Sequence, residues 1–177
     1  MAESDARIGA NFLAYIALGA NLGDPASQVE TACQELARLP ETRLARCSAL
    51  YVSKPVGYAD QPDFVNAVAG VHTRLSPRDL MQALLDIEAR HGRDRTFKNA
   101  PRTLDLDLLL YDGLVMHAPG LTLPHPRMTE RPFVLLPLAD IAPDAVIPGH
   151  GRAADCLAGL PTGGIERLSV PRDQATC

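Results

Sequence analysis

Apolar positions recur along this chain with two periods, and the switches between them mark its elements. Leu13 to Leu18 is an unbroken apolar run closed by Gly19, the pattern of a buried strand. Gly19-Ala20-Asn21-Leu22-Gly23 then reads as a turn. Asp24 caps the next helix and Pro25 suits its first position. Val29, Ala32, Cys33, Leu36 and Ala37 fall on one helical face before Pro40 ends it. Residues 43–53 read as a second strand, with Leu44, Cys47 and Leu50–Val52 as its apolar content, and 54–63 as a loop marked by Pro55, Gly57 and Pro62. Phe64 to Thr73 is a third strand. Ser76-Pro77-Arg78-Asp79 is a capping box with proline at the first helical position. Leu80, Leu84, Ile87 and His91 line one face of that helix, and Gly92 ends it. After an arginine-rich stretch, residues 92–101, the chain is apolar again up to Tyr111 and turns at Asp112-Gly113. Prolines at 119, 124, 126 and 132 interrupt the next stretch, leaving room for a short helix over 133–138. Beyond residue 148 the pattern weakens.

The order strand, helix, strand, strand, helix, strand is that of the split βαβ, ferredoxin-like arrangement. The expectation is an α+β fold with a βαββαβ core and a mainly antiparallel sheet. Residues 13–170 read as a single domain, with residues 1–12 as a flexible N-terminus and 171–177 as a disordered tail. There is no internal repeat and no low-complexity segment.

Composition narrows the function more than the fold. At 177 residues, 46% hydrophobic and 21% charged, the chain is an ordinary globular protein. A net charge of −4 argues against nucleic-acid binding, and the lack of tryptophan against a base-stacking platform. No apolar run approaches the ~20 residues of a membrane span. Cys33, Cys47, Cys156 and Cys177 show no CxxC spacing, which argues against zinc, and nothing points to a disulfide framework. The first ten residues lack the apolar stretch of a signal peptide. A reduced, cytoplasmic monomer is the expectation.

The candidate chemistry starts at residues 101–111, Pro-Arg-Thr-Leu-Asp-Leu-Asp-Leu-Leu-Leu-Tyr. Strand side chains alternate faces, so Asp105 and Asp107 share one face while Leu104, Leu106 and Leu108 take the other. The two carboxylates leave the strand roughly 6–7 Å apart. Their repulsion is on the order of 2–3 kcal/mol at an effective dielectric of about 20. A shared proton, an arginine or a divalent cation relieves it. Arg93, Arg95 and Arg102 lie just upstream, which favours Mg²⁺ and phosphate. The loop that carries them has the composition of a lid over a polyphosphate.

Three further features fit a nucleotide-dependent enzyme. His125 is fixed between Pro124 and Pro126, with Arg131 close behind, and suits a phosphate or ribose contact. Phe64 and Asn66 share a strand face, and Phe133 follows Arg131. An aromatic ring beside an amide suits a flat heterocycle. No P-loop, GxGxxG fingerprint or GxSxG elbow is present in the sequence.

Five ordered segments carry a resemblance. They are Tyr15-Ile16-Ala17-Leu18-Gly19-Ala20-Asn21-Leu22-Gly23, Asp60-Gln61-Pro62-Asp63-Phe64-Val65-Asn66-Ala67, Gly92-Arg93-Asp94-Arg95, Pro101-Arg102-Thr103-Leu104-Asp105-Leu106-Asp107 and Leu123-Pro124-His125-Pro126. Together, from about Ala14 to about Asp144, they resemble the 6-hydroxymethyl-7,8-dihydropterin pyrophosphokinases of folate biosynthesis. The resemblance implies a three-layer α/β sandwich around the ferredoxin-like core. It implies transfer of the β,γ-pyrophosphoryl group of ATP to the pterin hydroxymethyl oxygen, releasing AMP. By the same resemblance Asp105 and Asp107 hold two Mg²⁺ ions, and Arg93 and Arg102 contact the phosphates. Glu88, Arg95, Thr122, His125 and Arg131 match ATP-side positions. Phe64 and Phe133 match the rings that sandwich the pterin, Asn66 the amide that reads its edge, and Ser53 and Val56 further contacts to it. The family often has Arg-Trp-Gly where this chain has Lys98-Asn99-Ala100, and often serine where Ala20 stands. Two other classes compete with this reading. One is another metal-dependent ATP-using enzyme such as a nucleotidyltransferase, and the other a non-catalytic ferredoxin-like binding module.

Overall fold

The computed structural model describes residues 11–55, 60–92 and 104–168. The first strand, β1 (Phe12–Ala20), leads into helix α1 (Pro25–Ala37), then β2 (Thr42–Cys47), β3 (Tyr51–Ser53) and β4 (Phe64–Thr73). Helix α2 (Pro77–Arg90) and β5 (Asp105–Tyr111) complete the predicted order. Both helix starts form as their sequences dictate. Asp24 accepts the Ser27 N–H at 3.3 Å, and Ser76 accepts that of Asp79 at 3.1 Å. Gly92 ends α2 with φ +74°, a conformation that suits glycine. Ser76→Ala is expected to cost about 1 kcal/mol, a fall of ~2–4 °C in Tm for a chain of this size, read by thermal unfolding.

The main sheet runs β10 (Glu166–Arg167), β3, β4, β1, β5, with β2 also paired to β4, and every pairing is antiparallel. β2 and β3 lie end to end along β4, against residues 69–73 and 64–66. The expected single strand over 43–53 is therefore two. The break is made by side chains. Ser48 Oγ takes the Val68 N–H at 2.9 Å, and Asp140 takes that of Ala49 at 3.0 Å. The Ser48 N–H keeps its bond to the Val68 carbonyl at 2.9 Å, and the two side chains take the other N–H groups at the break.

Two clusters make the core, one on each face of the sheet. On the first face, Ile16, Leu18, Val65, Ala67, Leu106 and Leu108 meet α1 and α2. On the second, Ala17, Val68, Leu109 and Leu110 meet α3 (Pro132–Ile141) and α4 (Ala153–Ala158). This is the three-layer arrangement expected. β5 carries a bulge: Ile16 pairs with Leu108 and Tyr15 with Leu110, which leaves Leu109 as the extra residue. The bulge puts Leu109 and Leu110 on the same face and returns Tyr111 to the first cluster.

The region after residue 148, where the sequence pattern fades, is structured. β8 (Val146–Ile147) pairs with β9 (Gly151–Arg152), α4 comes next, and β10 (Glu166–Arg167) pairs with β3. Between β5 and α3 lie the β6–β7 hairpin (Met116–Ala118, Leu121–Leu123) and a 3₁₀ turn, Met128–Glu130. One cysteine expectation is corrected: Cys33 of α1 and Cys47 of β2 form a disulfide. Both side chains sit on the α1 side of the sheet, a proximity that sequence spacing does not reveal. Among the described residues no helix is long and apolar enough to cross a membrane.

Candidate active site

The strand register assembles the site. Asp105 of β5 lies opposite Gly19 of β1, and Gly19 opposite Asn66 of β4, so one row crosses three strands. The next row on that face is Asp107, Ala17 and Val68. Asp105 and Asn66 are two inter-strand spacings apart, about 10 Å. Gly19, partly exposed and without a side chain, forms the floor of the first row, while Ala17 is buried in the second core cluster. A Cβ at position 19 would lie 3.4 Å from Asn66 Oδ1, tighter than most such contacts, so glycine leaves room for that oxygen.

On the β5 side, Asp105 and Asp107 are both half-buried, Asp107 with 31% of its side chain exposed. His125 comes just after β7 and is anchored by its N–H, which donates to the bulge carbonyl of Leu109 at 2.9 Å. Burial first, then the positive charges of Arg131 and Arg127, pull His125 down to about 4 against the opposing pull of Asp105. The ring is therefore neutral at physiological pH. Its Nδ1 accepts the Arg127 N–H at 3.2 Å, so the proton sits on Nε2. Nε2 is 3.9 Å from Asp107 Oδ1, beyond hydrogen-bond range, leaving a donor at the rim of the carboxylate pair.

Two half-buried carboxylates on one strand face are a hard-oxygen donor set. Among the described residues no cluster of three metal-binding side chains occurs. Mg²⁺ is usually held by one or two carboxylates while water and substrate phosphates fill its octahedron.

On the β4 side, Asn66 is 6% exposed, and its Nδ2 donates to Ser53 Oγ at 2.7 Å and toward the Tyr51 carbonyl at 3.5 Å. The amide nitrogen is thereby occupied by β3, and the amide oxygen faces Gly19. Phe64 shares this face by the strand period, and Phe133 sits at the start of α3, which packs on the same side. α3 is lashed to β2 at its other end: Arg46 donates to the Ile141 carbonyl at 3.0 Å, and Asp140 holds the Ala49 N–H. The Arg131 guanidinium lies 5.8 Å from the Phe133 ring centroid, a cation–π contact. Thr122 is on β7, opposite His117 and three residues before His125.

Two residues carry more than their sequence context indicates. Asn21, at the end of β1, is buried and donates through Nδ2 to Gln61 Oε1 at 2.7 Å and to the Pro62 carbonyl at 3.1 Å. It ties the loop before Phe64 to β1. Its sequence signals are a polar side chain directly after a buried strand and its place in the first segment of the resemblance, neither of which gives it a role. Glu88 is the second. It lies buried on α2, and its Oε2 accepts the Leu106 N–H at 2.7 Å. Of the remaining sequence candidates, Val56, Arg93, Arg95 and Arg102 lie outside the described residues.

The sequence matches the family model described as 7,8-dihydro-6-hydroxymethylpterin-pyrophosphokinase over residues 15–143. It is 50% identical over 154 residues to the 2-amino-4-hydroxy-6-hydroxymethyldihydropteridine pyrophosphokinase of Pseudomonas aeruginosa, covering 87% of this chain and 95% of that one. The Haemophilus influenzae protein of the same name is 47% identical over 135 residues, with 76% and 84% covered. Among solved structures, a Plasmodium falciparum HPPK-DHPS crystal structure superposes with a TM-score of 0.68 at 14% identity, over 84% of this chain and 44% of that one. The chain thus spans less than half of that protein, and likeness at that identity is one of fold.

Proposed function

The chain belongs to the 7,8-dihydro-6-hydroxymethylpterin-pyrophosphokinase family, and on that premise we propose how its own residues carry the reaction. It is an ATP-dependent pyrophosphokinase of folate biosynthesis, passing pyrophosphate from ATP to 6-hydroxymethyl-7,8-dihydropterin. The hydroxymethyl oxygen attacks the β-phosphorus and loses its proton. The bond from the β-phosphorus to the α–β bridging oxygen breaks, and AMP leaves.

The row Asp105, Gly19, Asn66 is the observation that carries the assignment of roles. Asp105 and Asp107 hold two Mg²⁺ ions, which supply charge neutralisation on the triphosphate and orient it. His125 donates through Nε2–H to a phosphate or ribose oxygen, and Arg131 adds positive charge beside it. Thr122 contributes from β7. Across the glycine floor, Asn66 Oδ1 accepts from the pterin's ring N–H and amino groups, while Ser53 holds the amide in that orientation. Phe64 and Phe133 stack on the pterin faces. The two substrates thus meet over Gly19, where no side chain separates the hydroxymethyl oxygen from the phosphate. Arg93, Arg95, Arg102 and Val56 are assigned by resemblance: the arginines to the phosphates, Val56 to the pterin.

Nuclear magnetic resonance titration tests this division. The pterin alone is expected to shift the Asn66 side-chain amide and the Phe64 ring. Mg²⁺ with α,β-methylene-ATP, whose α–β bridge cannot be cleaved, is expected to shift the His125 ring. The nucleotide perturbing Asn66 while sparing His125 contradicts the assignment.

A further inference from the structure

We infer that Glu88 is a positioning residue for the metal-binding strand, holding Asp105 and Asp107 in register through the peptide N–H between them. The inference rests on the reading of those two carboxylates as metal ligands. Among the described residues β5 is the last strand of the sheet, so the N–H groups on its outer edge have no ladder partner there. Leu106 supplies one of them, and Glu88 Oε2 accepts it at 2.7 Å.

The choice of a carboxylate is informative. Glu88 is 2% exposed, and burying a carboxylate is costly unless it is well hydrogen-bonded. The Leu106 N–H supplies one bond that meets this need. Its place decides what it does. Leu106 points its own side chain into the core beneath α2, and the residues on either side point their carboxylates to the opposite face. Any twist of the strand about Leu106 swings both carboxylates together. A bond at that one N–H therefore sets the orientation of the pair.

The helix that holds Glu88 is itself fixed. Leu80, Leu84 and Ile87 are fully buried on the same helix. Just past its end, His91 Nδ1 meets Gln28 Oε1 at 2.6 Å, and its Nε2 meets Glu35 Oε1 at 2.5 Å, both on α1. The chain of contacts runs from α1 through α2 to the midpoint of the carboxylate pair. Hydrogen-bonding partners of this kind orient metal ligands, and their loss typically lowers metal affinity by about 10–100-fold.

The experiment uses the full chain with α,β-methylene-ATP and reads Mn²⁺ affinity by electron paramagnetic resonance. In parallel, Leu106 amide exchange is followed by nuclear magnetic resonance. Glu88→Ala is expected to weaken Mn²⁺ by about 10–100-fold and to speed Leu106 exchange by roughly tenfold or more, as expected when an edge N–H loses its acceptor. Glu88→Gln keeps an acceptor oxygen and is expected to hold both readings within about threefold of the parent. If Glu88→Ala does not fold, Glu88→Asp, too short to reach Leu106, replaces it with the same expectation. Wild-type Mn²⁺ affinity and Leu106 exchange in the truncated variant overturn the proposal, as does equal loss in Glu88→Gln. Asp105→Ala separates the positioning role from the metal assignment. Loss of Mn²⁺ in Asp105→Ala but not in the Glu88 variants overturns the positioning role alone. Full retention in all of them overturns the metal assignment beneath it.

Discussion

Asp105→Ala and Asp107→Ala are each expected to lower kcat/KM for AMP release by on the order of 10³-fold or more, equivalent to about 4 kcal/mol of lost transition-state stabilisation. Each substitution deletes one of the two strand carboxylates assigned to the metal. The charge that builds on the triphosphate as the α–β bond breaks is then left poorly neutralised. Stability is expected to move the other way or not at all. The leucines on the opposite face that hold β5 to the core are untouched. A Tm equal to or above the parent, together with the lost turnover, separates a catalytic role from a structural one. Near-normal turnover in either variant removes the metal assignment.

The second large effect is expected at the opposite end of the row. Asn66→Ala deletes the amide whose nitrogen is tied to Ser53 and whose oxygen faces Gly19. The pterin N–H groups then lose their acceptor in a buried site. Leaving such groups unpaired costs about 1–3 kcal/mol, roughly 5–150-fold in kcat/KM for the pterin. KM for ATP is expected to stay within about threefold of the parent, because Asn66 lies across the floor from the carboxylates. Gly19→Val reaches the same endpoint by another route. Its side chain fills the floor and crowds Asn66 Oδ1, so pterin binding falls while Mg²⁺-dependent binding of α,β-methylene-ATP persists. Equal losses for both substrates in Asn66→Ala contradict the division of the site. Steady-state kinetics with each substrate varied in turn decide it.

Much of this arrangement is legible in the sequence because it depends on local rules. The bounds of β4, the caps at Asp24 and Ser76 and the alternation around Asp105 come from side-chain period and turn chemistry. What is not legible depends on partners distant in sequence. The break between β2 and β3 needs Asp140, 91 residues from Ala49. The two-residue strand β10 exists only because β3 offers it an edge, and so short a segment has no measurable period. The Cys33–Cys47 bond depends on how α1 packs over β2. The site divides along the same line. The carboxylate pair can be read from spacing alone. The role of Gly19 requires the register of three strands, since nothing local separates a floor glycine from a turn glycine. Glu88 is singled out only by the family resemblance, as an ATP-side position, and its partner here is a backbone group that no sequence pattern identifies.

The central claim is that this face transfers an intact pyrophosphoryl group from ATP to a pterin alcohol. Chromatography of the nucleotides and pterins after incubation with ATP, Mg²⁺ and 6-hydroxymethyl-7,8-dihydropterin tests it most directly. AMP and pterin diphosphate are expected in equal amounts, with no AMP formed when the pterin is left out. Release of free pyrophosphate with an adenylylated pterin, or of ADP with a pterin monophosphate, contradicts the account.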